Sequence, residues 1–200
     1  LENVKNYDFR QLNVLLVEKH NYMRRIMRNF LSEMGVENIV DTAKPDQALQ
    51  IFQEGDFDLV VTDWSPGLNG ITLMQMIRQE NQSKNPFVPI IVVTANTEIR
   101  HIMTARDAGM TEFLAKPISA GMIYSRICSI IERQRLFIRC QNFFGPDRRR
   151  RRMEFGGPDR RTHANAANER RNRQAPFSGS EKRQGKEGYR APDTFAQRAR

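Results

Sequence analysis

The chain has 200 residues, room for one domain of ordinary size with some surplus. Its formal net charge of +9 is unevenly placed: residues 1–140 hold 16 basic and 16 acidic side chains, and residues 141–200 hold 16 basic against 7 acidic. A neutral globular part and a basic appendage therefore read separately. Two cysteines, Cys128 and Cys140, are no disulfide framework. No apolar run approaches the ~18 residues of a membrane span, and Leu1-Glu2-Asn3-Val4-Lys5 lacks the layout of a secretory signal. The expected setting is the cytoplasm.

After an N-terminal extension (residues 1–10), short apolar runs alternate with amphipathic stretches five times within residues 11–140. Leu12–Val17 is a continuous apolar run of strand length. A helical pattern follows at Met23, Ile26, Met27, Phe30, Leu31 and Met34, stopped by Gly35. Asn38–Val40 reads as a second strand, and Pro45 suits the first turn of a helix carrying Ala48, Leu49, Ile51 and Phe52. Leu59–Thr62 is strand three, Gly70–Glu80 a helix, and Pro89–Thr94 strand four. Ile99, Ile102, Met103 and Ala105 mark helix four, closed by Gly109. Glu112–Ala115 is strand five, and Ser119 caps a last helix that the pattern carries to about Arg139.

Strands that are apolar throughout are buried on both faces, which implies a parallel sheet covered by helices. Five β-α units of this size predict an α/β fold with a doubly wound five-stranded parallel sheet in the order 2-1-3-4-5, flavodoxin-like in topology. In such sheets chemistry gathers at the carboxyl ends of the strands, near the switch point between strands one and three. The polar residues there are Glu18 and Lys19, Asp63, Thr94 and Lys116. Asp63, at a strand end, is expected to be exposed. A flavin-binding protein of the same topology is disfavoured, because Glu18-Lys19-His20-Asn21 is no Gly/Ser-rich phosphate cradle. His20, His101 and His163 have no metal-like spacing and read as surface residues.

Val14–Asn29 (VLLVEKHNYMRRIMRN), Asp58–Gly70 (DLVVTDWSPGLNG), Val-Thr-Ala at 93–95 and Lys116-Pro117 stand in order, and with them residues 12–138 resemble a two-component response regulator receiver domain of the single-domain chemotaxis type. The resemblance implies that Asp63 accepts a phosphoryl group from a histidine kinase or phosphotransfer protein. It implies that Lys116 neutralises the phosphoryl oxygens and that Thr94 reaches the modified Asp63. Ala95 would leave access, and Phe113 would report phosphorylation on the face formed by helix four, strand five and helix five, where a downstream protein docks. It further implies a cis Lys116-Pro117 bond and a signalling module that at most catalyses its own phosphoryl transfer and dephosphorylation. The physics suits the position, since phosphoryl transfer asks mainly for positioning and charge neutralisation.

Two features depart from that family. Receivers place two acids after strand one and hold Mg²⁺ with them, the acceptor Asp and a backbone carbonyl, here that of Ser65. Glu18 keeps the first acid with one more methylene, but Lys19 replaces the second, and an ammonium is no magnesium ligand. Pointing inward, Lys19 would badly weaken Mg²⁺ binding; pointing outward, it removes only a ligand. The Asp63-Trp64-Ser65-Pro66 loop is also one residue shorter than common. The expected Mg²⁺ site is weakened or lost, and the alternative is a pseudo-receiver that binds partners without phosphorylation.

Residues 141–200 are dominated by Arg, Asn, Gly, Pro and Gln and read as a disordered basic tail. The tail carries a short echo, Phe144-Gly145-Pro146-Asp147-Arg148-Arg149 and Phe155-Gly156-Gly157-Pro158-Asp159-Arg160-Arg161, an aromatic, a turn and an arginine pair in each copy. Three roles stay open for it: a solvated tail, attachment to nucleic acid or an anionic membrane through Arg148–Arg152, and a docking motif for a protein.

Overall fold

The computed structural model of the chain describes residues 7–64, 70–79, 83–140, 143–147, 187–190, 192 and 194–199. Five β-α units follow one another: β1 (Asn13–Val17), α1 (Asn21–Glu33), β2 (Asn38–Thr42), α2 (Pro45–Glu54), β3 (Leu59–Asp63), α3 (Gly70–Arg78), β4 (Ile90–Thr94), α4 (Ile99–Asp107), β5 (Glu112–Ala115) and α5 (Ala120–Glu132). The strands form one parallel sheet in the order β2-β1-β3-β4-β5, as the sequence predicts. No helix among the described residues is long and apolar enough to cross a membrane.

The burial of each strand follows its place in that order. All five residues of β3 and of β4 are buried, whereas the edge strands β2 and β5 alternate between buried and partly exposed positions. Side chains leave a strand on alternate faces, so the core is double. Val14, Leu16, Val61 and Val93 meet Met27 and Leu31 of α1 and Ile123 and Ile127 of α5 on one face. Leu15, Val17, Val60 and Val92 meet Phe52 of α2, Met74 and Ile77 of α3 and Ala105 of α4 on the other. The stops of α1 and α4 are where the sequence puts them: Gly35 and Gly109 take φ of +94° and +98°, values that favour glycine. The Ser119 hydroxyl accepts the Met122 amide at 3.3 Å and caps α5.

The structure departs from the sequence reading at three places. Phe9, assigned to an extension, is buried in the first core beside Tyr124. Helix α5 does not reach Arg139; it ends at Glu132, and β6 (Leu136–Cys140) follows. Within residues 141–200, read as wholly disordered, β7 (Phe143–Pro146) and β8 (Glu187–Arg190) flank β6 in an antiparallel sheet, and α6 (Thr194–Arg198) follows. The physical reason is local apolar content that an average over 60 residues conceals. Phe195, Ala196 and Ala199 join Ile130 and Ile131 in the first core. Burying a large apolar side chain contributes roughly 1.5–3 kcal/mol, enough to help order a short helix.

Candidate functional site

Backbone ladders carry the expected site residues to one edge of the sheet. The Glu18 amide donates to the Thr42 carbonyl at 3.1 Å, extending the β1–β2 ladder by one residue. Asp63 ends β3 opposite Val93, and Thr94 ends β4 opposite Ala115. The Lys116 amide then donates to the Thr94 carbonyl at 2.9 Å. The chain leaves β3 and re-enters α3 at Gly70, where an added Cβ would lie 2.7 Å from the Asp63 carbonyl oxygen. Glycine is required there by close approach of the backbone.

Glu18, Asp63 and Lys116 form one charged cluster. Contrary to the expectation of an exposed acid, Asp63 is only 1% exposed, and Glu18 is fully buried. The Lys116 ammonium donates to Glu18 Oε2 at 2.7 Å and lies 3.2 Å from Asp63 Oδ1, close enough for ion pairing. That second approach is not aligned as a hydrogen bond, and both Asp63 oxygens are buried without a hydrogen-bond partner among the described residues. The other Glu18 oxygen accepts the His20 amide at 2.8 Å. Buried carboxylate oxygens are ordinarily satisfied, so the bareness of Asp63 marks it out. The Thr94 hydroxyl donates to the Trp64 carbonyl and accepts the Asn96 amide at 3.1 Å.

A magnesium ion at this site would have to be held by these same oxygens. Octahedral oxygen coordination asks for several free oxygens at roughly 2.1 Å. Glu18 has one oxygen on a backbone amide and the other on Lys116. Lys19 is exposed to solvent, so the second acid position contributes neither a ligand nor a buried cation. Among the described residues no group of three or more His, Cys, Asp or Glu is gathered to hold a metal ion. The set does not fit a tightly held magnesium ion.

The remaining expected positions fall as follows. Lys116-Pro117 is cis. Ala95 is exposed, Phe113 is half-buried against the second core, and Ile99 and Met103 of α4 and Met122 of α5 are exposed. His20 is exposed, while His101 is half-buried, edge-on to Trp64 with ring centroids 5.1 Å apart. Ser65, Arg148, Arg149, Phe155, Arg160, Arg161 and His163 lie outside the described residues. Phe144 packs against Phe87, Phe137 and Tyr189, so the described part of the first copy, Phe144–Asp147, belongs to the fold.

Sequence reasoning missed a second charged group at the opposite end of the sheet. Arg78 is buried, donating to the carbonyls of Gly109, Pro86 and Val88 at 3.0, 2.7 and 2.7 Å, with Phe137 under its guanidinium. Burial pushes it down to about 9, so it stays charged at neutral pH. Asp58 accepts the Asn13 amide and Arg198, each at 2.9 Å, and Glu112 accepts Arg135 at 3.1 Å. The signal was there: Gly70, Leu73, Met74, Ile77 and Arg78 share the buried stripe of α3 at helical spacing.

The comparisons with known proteins bear on the family. Residues 14–128 match the response regulator receiver domain. The chain is 34% identical over 125 residues to chemotaxis protein CheY-3 of Vibrio cholerae, covering 62% of this chain and 95% of that protein. It is 33% identical over 123 residues to chemotaxis protein CheY of Pseudomonas aeruginosa, covering 61% and 98%. The structure of Vibrio cholerae CheY4 matches with a TM-score of 0.54 at 23% identity, over 60% of this chain and 98% of that one, which bears on the fold alone. The receiver domain of a Pseudomonas aeruginosa sensor histidine kinase, with a magnesium ion coordinated in its active-site cleft, gives 0.51 at 27% identity over 59% and 94%. Strand order and a family match over more than half the length agree, and the chain belongs to the response regulator receiver domains of two-component signalling.

Proposed function

We propose that the chain is a phosphorylation-dependent receiver whose acceptor is Asp63, supplied by a histidine kinase or phosphotransfer protein. The observation that carries this reading is the buried Asp63 carboxylate, bare of hydrogen bonds and 3.2 Å from the Lys116 ammonium. An Asp63 oxygen attacks phosphorus, the O–P bond forms, and the donor's bond to phosphorus breaks with its electron pair leaving on the donor. Lys116 neutralises the incoming oxygens, which is most of what phosphoryl transfer asks of a protein. The Thr94 hydroxyl, which donates to the Trp64 carbonyl, turns to the new phosphoryl oxygens. Magnesium dependence is weakened, because Lys19 stands where a second acid would bind the ion.

The signal passes by protein contact at the face of α4, β5 and α5. Ile99, 74% exposed, with Met103 and Met122, gives α4 and α5 apolar side chains in solvent. For the arginine-rich stretch outside the described residues, charge favours a polyanionic partner, nucleic acid or an anionic membrane, and the repeated turn motif favours docking to a protein. The acceptor reading is tested by incubating the protein with acetyl phosphate. An acid-stable, alkali-labile label that Asp63→Asn abolishes is expected. Absence of label on the wild type, with magnesium or without, refutes it.

A further inference from the structure

We infer that Glu18 is a positioning residue that holds the Lys116 ammonium over Asp63, not a ligand for a divalent ion, and that the pocket accepts its phosphoryl group without one. The inference rests on the reading of Asp63 as phosphoacceptor. Glu18 and Lys116 follow β1 and β5, which are separated by β3 and β4 in the sheet. Three inter-strand steps amount to roughly 14 Å. The 2.7 Å contact between Glu18 Oε2 and Lys116 Nζ therefore spans the ends of both intervening strands, and Asp63 lies along that span. Such a span needs a long side chain at each end, and a glutamate supplies one methylene more than an aspartate.

Both oxygens of Glu18 are committed, one to Lys116 and one to the His20 amide, which fixes its rotamer. Burial of the carboxylate strengthens its hold on the ammonium, since a charge-assisted hydrogen bond away from water is among the stronger contacts available. The cluster contains two carboxylates and one ammonium, so it carries one net negative charge rather than the two that a divalent ion would balance. Exposed Lys19 adds positive potential at the mouth. When phosphate is transferred, the ammonium keeps Glu18 on one side and meets the phosphoryl oxygens on the other. The charge that magnesium would otherwise supply is already present.

The test labels the full chain with acetyl phosphate in millimolar magnesium and, separately, in EDTA. Wild-type rates in the two conditions should agree within about twofold, far from the decades lost with an essential charge. In EDTA, Glu18→Gln and Glu18→Asp should both label about tenfold more slowly, the loss of one charge-assisted contact. Their thermal melts establish that they are folded. Emission of Trp64, the only tryptophan and the neighbour of Asp63, should show no saturable response of the unphosphorylated wild type to magnesium. Wild-type labelling that requires magnesium, a saturable magnesium response, or a Glu18→Asp protein that matches wild type in EDTA overturns the inference while leaving Asp63 as acceptor. Failure of the wild type to label in either condition overturns both.

Discussion

Beneath the amino ends of β3, β4 and β5, Arg78, Asp58 and Glu112 each hold several partners, although Arg78 Nη2 is left without a hydrogen bond among the described residues. Arg78 has three carbonyls and a ring face, Asp58 an amide and Arg198, and Glu112 the guanidinium of Arg135. At the carboxyl ends of the same strands, Asp63 is as deeply buried, yet both its oxygens lack a hydrogen bond, and its nearest cation is shared with Glu18. The difference separates two uses of a buried charge. Where several hydrogen bonds hold the charge, it ties elements together and resists change. Where neither oxygen has one, folding bears an unfavourable term that a ligand or a covalent group can relieve.

The contrast is broken most severely at Arg78. Arg78→Ala leaves three carbonyls without their donor and opens a gap over Phe137, and urea unfolding should register a loss of about 3–5 kcal/mol. A change near zero would mean that the paired end is not what holds the domain. Next comes the docked helix α6: Phe195→Ala should cost about 2–4 kcal/mol, because the ring is buried against both α5 and the first core. A substitution there without effect on the melt would remove α6 from the folded unit. The smallest change falls at the incomplete end. Asp63→Asn should alter stability by less than about 1 kcal/mol, since the acid has no hydrogen bond to lose, while it removes all labelling. A loss as large as that of Arg78→Ala would erase the distinction between the two ends.

How much of this was legible in the sequence varied with the range of the interaction. Runs such as Leu59–Thr62 and Ile90–Thr94 announce strands covered on both faces, and the order of the five units followed from them. Residues at strand ends are brought together by topology alone, so Glu18, Asp63, Thr94 and Lys116 could be named together. The bond between Glu18 and Lys116 could not, because it joins residues 98 positions apart through side-chain reach. Helix α5 was read too long because Leu136 and Phe137 continue the apolar rhythm of Ile130 and Ile131. Only pairing with β7 and β8 makes Leu136–Cys140 a strand. Arg78 stood in plain view on an apolar stripe, but its carbonyl partners come from loops that no periodicity describes.

The central claim is that the incompletely partnered acid at the end of β3 is the one that takes the phosphoryl group. Borohydride reduction of the labelled full chain, followed by peptide mapping, locates the modified residue directly. The account predicts a single modified position, Asp63. Modification at Glu18, Asp58 or another carboxylate, with Asp63 left intact, would contradict it.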